Sequence, residues 1–184
     1  MNEIESKVTD RMEKSITAMN SEIAKIRTGR AHPSLLDHVK VEYYGNKVPL
    51  DQTASITAED AKTLMLNVWE KPMVELIEKA IADAGLGLNP AVNGTVIHVP
   101  VPPLTEERRK EMVKLVRHHG EAAKVSIRNI RRDINQHIKD ALKAKDISQD
   151  QEKAQERQVQ KLTDDYIARI DSVIADKEKE LMGV

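Results

Sequence analysis

Arg128, Arg131 and Arg132 stand close together in the chain, and Lys110, Lys114, Arg117, Lys124 and Lys139 flank them at helical spacing. At about 100° per residue, all eight fall within about 100° of one another, so a helix through them carries one basic face. Such a face can bind a polyanion. Guanidinium forks match phosphate oxygens in two-pronged contacts, and like charges crowd together only where neighbouring acids or a bound polyanion relieve their repulsion. The competing reading is a solvated face neutralised by an acidic helix packed beside it. Aromatic residues make up 2% of the chain, with no Phe, one Trp and three Tyr. That scarcity argues against base stacking, so an RNA partner would be structured and read through its backbone, shape and 2′-hydroxyl groups.

Other chemistries lack their residues. Cysteine is absent, which excludes a disulfide framework, a thiolate nucleophile and Cys-ligated metal. His32, His38, His98, His118, His119 and His137 show no HExxH or comparable ligand spacing, and His118 and His119 sit about 100° apart on a helix. Gly85-Leu86-Gly87 begins like a dinucleotide loop, but no third glycine follows and the segment leaves a helix instead of opening one. Asp164-Asp165 and Glu106-Glu107 are adjacent acids on helical segments with no cleft implied. No enzyme activity, metal or cofactor is therefore expected.

The net charge of −1 conceals a segregation. Lys+Arg against Asp+Glu runs 6 to 5 over residues 1–30, 5 to 9 over 31–104, 12 to 6 over 105–145 and 10 acids to 6 bases over 146–184. The amino terminus has neither a basic n-region nor an apolar h-region, and no stretch approaches the roughly 18 apolar residues of a membrane span. A reducing cytoplasm is the expected compartment, with no membrane partner.

The elements that must position the basic face are long helices. Val8, Met12, Ile16, Met19, Ile23 and Ile26 step by three or four, predicting a helix that ends near Thr28-Gly29. Met112, Val116, Ala123, Ile127, Ile130, Ile134, Ile138 and Ala141 predict another of about 40 residues behind Thr105, roughly 60 Å long. His118-His119-Gly120 is its weak point, since glycine costs about 1 kcal/mol in a helix. Ser148 and Gln151 fit a capping box opening a further helix with Val159, Leu162, Tyr166, Ile170, Val173, Ile174 and Leu181 on its stripe. Three narrow stripes with charged backs predict an antiparallel three-helix bundle from residues 1–30 and 105–184.

Between its helices, residues 31–104 change period. Val39, Val41 and Tyr43 alternate with polar residues, Gly45-Asn46 is the predicted hairpin turn, and Leu64, Leu66 and Val68 alternate again. Pro72 suits the first turn of a short helix to Ala84, and Asn93-Gly94 precedes a strand at Thr95–Val99. Trp69 and Tyr43-Tyr44, in strand-like context, are expected in the core. The result is an inserted small β/α/β domain, giving an α+β chain. It is joined at 29–33, with Gly29, Arg30 and Pro33, and at 100–104, with Pro102 and Pro103. The second joint should be extended, short of donors for a sheet, and the two crossings together form a restrained hinge.

Several segments resemble, in order, blocks of the ribosome recycling factor family. These are Lys25-Ile26-Arg27-Thr28-Gly29-Arg30-Ala31, Pro33-Ser34-Leu35-Leu36-Asp37, Val41-Glu42-Tyr43-Tyr44-Gly45, Leu86-Gly87-Leu88-Asn89-Pro90, Pro102-Pro103-Leu104-Thr105-Glu106-Glu107-Arg108-Arg109-Lys110 and Arg128-Asn129-Ile130-Arg131-Arg132-Asp133. The resemblance covers essentially the whole chain. It implies an L-shaped bacterial-type factor, acting as a monomer, whose bundle binds ribosomal RNA of the large subunit. Elongation factor G, which carries the GTP, then drives separation of the subunits. It also implies RNA-binding roles for Arg128, Arg131, Arg132, Arg109, Arg27 and Arg30, to which the shared face adds Lys110, Arg117 and Lys124. The reading outside this family is a helical scaffold or chaperone whose basic stripe only solubilises it.

Overall fold

The computed structural model describes residues 3–183. Among them, α-helices run Glu3–Ala24 (α1), Val74–Asp83 (α2), Glu106–Lys143 (α3) and Gln149–Met182 (α4), and strands run Lys40–Tyr43 (β1), Asn46–Pro49 (β2), Ala54–Ala58 (β3), Thr63–Val68 (β4), Ala91–Asn93 (β5) and Val96–Pro100 (β6). No helix among the described residues is long and apolar enough to cross a membrane. The chain divides into two units, Met1–Thr28 with Glu106–Val184, and Gly29–Thr105.

The first unit follows from helical periodicity. α1 buries Val8, Met12, Ile16, Met19 and Ile23, and α3 buries Val116, Ala123, Ile127, Ile130, Ile134 and Ile138. Each fully buried aliphatic side chain contributes about 1.5–3 kcal/mol. Arg11 on Asp133 and Ser15 on Ser126 set α1 antiparallel to α3, while Lys124 on Asp171 and Arg117 on Glu178 set α3 antiparallel to α4. This is the three-helix bundle. The 38 residues of α3 span about 57 Å.

The ends of these helices show how local chemistry chooses boundaries. α1 stops at Ala24, short of the Gly29 end expected from sequence, because its last turn tightens: Lys25 N–H donates to Glu22 O and Ile26 N–H to Ile23 O, and Ile26 stays buried. At the α3–α4 link, Lys145 takes φ +63° where glycine is usual, and Asp146 N–H reaches back to Ala141 O at 2.9 Å, the bond that closes a Schellman turn. Ser148 then accepts from Gln151 N–H while the Gln151 side chain accepts from Ser148 N–H, the capping box expected there. Thr163, fully buried in α4, satisfies its hydroxyl on Val159 O at 2.8 Å.

Gly120 is not the weak point its helix propensity suggested. It is buried, and a Cβ built there would lie 1.9 Å from Ile174 Cδ1 and 2.8 Å from Ile174 Cγ1. The missing side chain is what lets α4 approach α3 so closely.

Glu13 ties α1 to α4: its Oε1 accepts from the Tyr166 hydroxyl at 2.8 Å and from the Arg169 guanidinium, which also stacks 5.0 Å from the Tyr166 ring centre. The hydrogen bonds from Arg169 and then from Tyr166 hold the Glu13 carboxyl below its ordinary pKa. A depressed carboxylate stabilises the fold above its unfolded pKa, and that contribution fades as pH falls through the folded value. Glu13→Gln should therefore flatten the acid side of the stability–pH curve below about pH 5. The effect stays under about 1 kcal/mol because both side chains are half in water. Thermal unfolding across the acid range measures it.

The small unit pairs β1 with β2 in one hairpin, and β3, β4, β6 and β5, in that order, in an antiparallel sheet. Leu64, Leu66, Val68, Ile97 and Val99 point to the side that packs Ile77 and Ile81 of α2. The β1–β2 turn falls one residue earlier than expected, on Tyr44-Gly45, with φ +48° and +81°. Two positive φ values give the twist a tight hairpin needs. β3 and β5 carry too little alternation to be legible alone; they form by pairing against β4 and β6. The sheet also runs further into the proline segment than expected, for Pro100 ends β6 and Val101 N–H donates to Lys62 O at 2.7 Å.

The expectation that Trp69 is a core residue is wrong: it is 63% exposed. In β4 the even positions Leu64, Leu66 and Val68 face inward, so the alternation carries residue 69 outward. Tyr44, at the hairpin tip, is 80% exposed; Tyr43, two residues beyond inward-facing Val41, is half-buried.

Candidate nucleic-acid interface

The basic rib of α3 is one face of the helix but not one environment. Taking Arg117 as zero, Arg131, Lys124 and Arg117 lie at about −40°, −20° and 0°, and Arg128, Lys110, Lys139, Lys114 and Arg132 between about +20° and +60°. The buried series of α3 lies on the negative side, so the first edge abuts α4. There Arg117 Nε sits 2.5 Å from Glu178, Lys124 Nζ 2.6 Å from Asp171 and 3.2 Å from Glu121, and Arg131 Nη1 donates to Gln160 at 3.3 Å.

Lys124 keeps only 15% of its side chain exposed, and the hydrogen bond that its ammonium donates to Asp171 holds its pKa above the ordinary value against the burial that would lower it. The one basic face expected from the sequence is therefore not uniformly free in solvent. Positions 117, 124 and 131 repeat every seven residues, the spacing at which one helix meets its neighbour, so their stems line the groove against α4.

The outer edge is different. Arg128 and Arg132 are exposed, and neither has an ion pair or hydrogen bond among the described residues; Lys114 and Lys139 are likewise exposed and unpaired. Lys110 is exposed but paired with Glu106 at 2.8 Å, and Arg109 is half-buried. Unpaired guanidiniums in water keep their full hydrogen-bonding capacity for a phosphate, whereas a phosphate approaching Lys124 must displace two carboxylates. The acids that divide the rib, Asp171 and Glu178, also repeat at seven residues, and that was the available sequence signal.

The remaining expected residues lie outside α3. Arg27 is half-buried in the irregular segment after α1, and Arg30 is exposed in the small unit. Gly29 has φ +80°, and a Cβ there would sit 3.4 Å from Leu104 Cγ and backbone N, so the two chain crossings touch at this point. Pro33 opens a single 3₁₀ turn, Pro33–Leu36, where His32 Nδ1 accepts from Ser34 N–H. Pro102 and Pro103 are exposed and lie outside any helix or strand.

A three-helix bundle with a small antiparallel α+β unit inserted between its first two helices, and a basic rib half neutralised from within, defines the class structurally. Comparison defines it further. A family model described as ribosome recycling factor matches residues 19–182. The chain is 56% identical over 184 residues to the ribosome-recycling factor of Legionella pneumophila strain Paris, and 54% identical over 184 residues to that of Azoarcus sp. strain BH72, each alignment covering 100% of both chains.

Among solved structures, it is similar to a solution structure of the ribosome recycling factor, with a TM-score of 0.71, 42% identity and coverage of 98% of this chain and 96% of that one. It is also similar to a structure described as models for the T. thermophilus ribosome recycling factor and the E. coli elongation factor G bound to the E. coli post-termination complex, with a TM-score of 0.61, 44% identity and 97% coverage of each chain. The chain belongs to the ribosome recycling factor family.

Proposed function

We propose that this chain, as a monomer in the cytoplasm, binds the large subunit of the post-termination ribosome through the outer edge of α3. With elongation factor G and GTP, it then promotes splitting into subunits. The observation that carries the binding mode is that Arg128 and Arg132 are exposed on one edge and have no acid partner, while their neighbours on the same rib are satisfied by α4. Arg27, Arg30 and Arg109 add further cationic contacts. The partner elongation factor comes from the similar complex, in which it accompanies a recycling factor on the post-termination complex. GTP chemistry belongs to that partner; this chain contributes binding and leverage.

The test is a reconstituted reaction with post-termination ribosomes, elongation factor G and GTP, with and without this protein, read by light scattering or sedimentation. Splitting that proceeds equally well without it would reject the reading. The scaffold alternative predicts no binding to protein-free ribosomal RNA, and a salt-sensitive complex with that RNA would exclude it.

In this reading residues 29–33 and 100–104 serve as a two-crossing hinge between the bundle, residues 1–30 and 105–184, and the small domain, 31–104. Gly29 and Leu104 offer a direct test. The Cβ positions lie 3.8 Å apart, matching a disulfide, and the native chain has no cysteine to compete. Gly29→Cys with Leu104→Cys, once oxidised, should still bind large subunits but split ribosomes several-fold more slowly, with the rate restored by reductant. Equal rates in both redox states would exclude a hinge whose motion parts the two crossings at Gly29 and Leu104.

A further inference from the structure

The turn between β3 and β4, Glu59 to Lys62, is exposed throughout, yet both chain crossings are fastened to it. Ala61 O accepts from Ala31 N–H at 2.9 Å, and Lys62 O accepts from Val101 N–H at 2.7 Å. Carbonyls of adjacent residues thus hold the segment that enters the small unit and the segment that leaves it. Ala31 and Val101 also bury their side chains in this unit's core, at 8% and 4% exposure. Each is anchored twice, by backbone and by packing.

Immediately outside these anchors the restraints stop. Among the described residues, the amides of Gly29, Arg30 and Leu104 donate to no backbone carbonyl. Pro102 and Pro103 have no N–H to offer, so the pinning that reaches Val101 cannot continue past it. Gly29 takes φ +80°, and Leu104 lies beside it. The freedom of the joint is therefore confined to short stretches, one ending at Arg30 and one starting at Pro102. Hinges work in this way, with a few residues absorbing the whole change in φ and ψ.

The turn can hold the crossings only if its own carbonyls are aimed. Glu59 N–H donates to Thr63 O at 2.9 Å, and Glu59 Oε2 accepts from His98 Nδ1 at 3.0 Å, which fastens the turn to β6. Asp60 Oδ1 accepts from Lys62 N–H at 2.7 Å, the short local bond of an Asx turn. That N–H belongs to the same peptide unit as Ala61 C=O. Because the unit is planar and trans, fixing its N–H on Asp60 points its C=O the opposite way, at Ala31 N–H. Bonds chained through one peptide also polarise and strengthen one another.

We propose that Asp60 is a positioning residue of the hinge: through the Ala61–Lys62 peptide it clasps both crossings to the small unit and limits the pivots to the residues just outside. This rests on the hinge reading above and narrows it. Slack in the crossings would absorb a push on the small unit before it became a push on the bundle.

Residue-resolved amide hydrogen exchange on the full-length chain tests the clasp without ribosomes. The amides of Ala31 and Val101 should be protected while those of Arg30 and Leu104 exchange freely; equal exchange at all four overturns the proposal. Asp60→Ala removes the acceptor and should speed exchange at Ala31 about tenfold, the scale of one hydrogen bond lost, with a smaller rise at Val101. Leu66 and Ile97, in the middle of the sheet, should not change. Asp60→Asn keeps a side-chain oxygen without the charge and should restore native exchange.

In the reconstituted reaction, Asp60→Ala should slow splitting several-fold at saturating elongation factor G, with large-subunit binding unaltered and Asp60→Asn close to native. Unchanged exchange in Asp60→Ala, native splitting despite faster exchange, or an Asp60→Asn variant as impaired as Asp60→Ala would each overturn the assignment. A native chain inert in splitting would count against the recycling reading, and the exchange rates would then decide the clasp by themselves.

Discussion

Replacing Arg128 and Arg132 together by alanine should weaken binding to the large ribosomal subunit about a hundredfold at low salt, with helix content unchanged. Each guanidinium is exposed and unpaired among the described residues, so its removal breaks nothing inside the fold. A hydrogen bond to a charged group contributes about 1.5–3 kcal/mol, roughly tenfold in affinity per arginine lost. Each phosphate contact also releases about 0.7–0.9 counterions, so the slope of log affinity against log salt should become shallower by about 1.4–1.8 in the double variant. Sedimentation binding at several salt concentrations measures both quantities.

The same logic predicts an inverted result one step around the helix. Lys124→Ala should cost more stability and less affinity than Arg132→Ala, because Lys124 is committed to Asp171 and Glu121. If Lys124→Ala instead gives the larger binding defect, the division of the rib into a satisfied and a free edge is wrong.

Gly120→Val should destabilise the bundle by about 2 kcal/mol. Its Cβ would enter the space of Ile174 Cδ1 and Cγ1, and over-packing of a filled interior typically costs about 1–3 kcal/mol. Valine's better helix propensity returns a few tenths of that. Combining it with Ile174→Ala should recover much of the loss, a coupling that two unrelated substitutions would not show. Helical circular dichroism follows the bundle, while the fluorescence of Trp69, the only tryptophan, follows the small unit. Only the bundle transition should move. If Gly120→Val is as stable as the native chain, the close approach of α4 is not what residue 120 permits.

How far the fold was legible depended on whether one periodicity dominated. The bundle helices repeat at 3.6 over many turns and were readable, as was the Ser148–Gln151 cap, whose geometry needs only two side chains. β3 and β5 were not, because Ala54–Ala58 and Ala91–Asn93 owe their conformation to hydrogen bonds from β4 and β6, which no local pattern encodes. Trp69 was misplaced by weighing residue type above phase, although the alternation in Leu64, Leu66 and Val68 already pointed it outward. The basic rib was legible as a rib; its division was signalled only by the seven-residue spacing of Asp171 and Glu178, whose packing against α3 no local pattern encodes. Gly120 shows the opposite failure: propensity marked a defect where packing requires an absence. For Tyr44, nothing local announces that a tyrosine will accept a left-handed turn, since the compensating bond comes from Glu70, far along the chain.

The placement of α1 has a consequence for biogenesis. Its contacts with α3 and α4 close only after the whole of Gly29–Thr105 has been synthesised, whereas α3 and α4 meet through a short link sealed at both ends. Long loops slow closure and local hairpins form early, so the last two helices should zip first and accept the first as a late-docking helix. Until then the nascent amino-terminal segment exposes Val8, Met12, Ile16, Met19 and Ile23 to solvent, and holdase chaperones would find their binding site there.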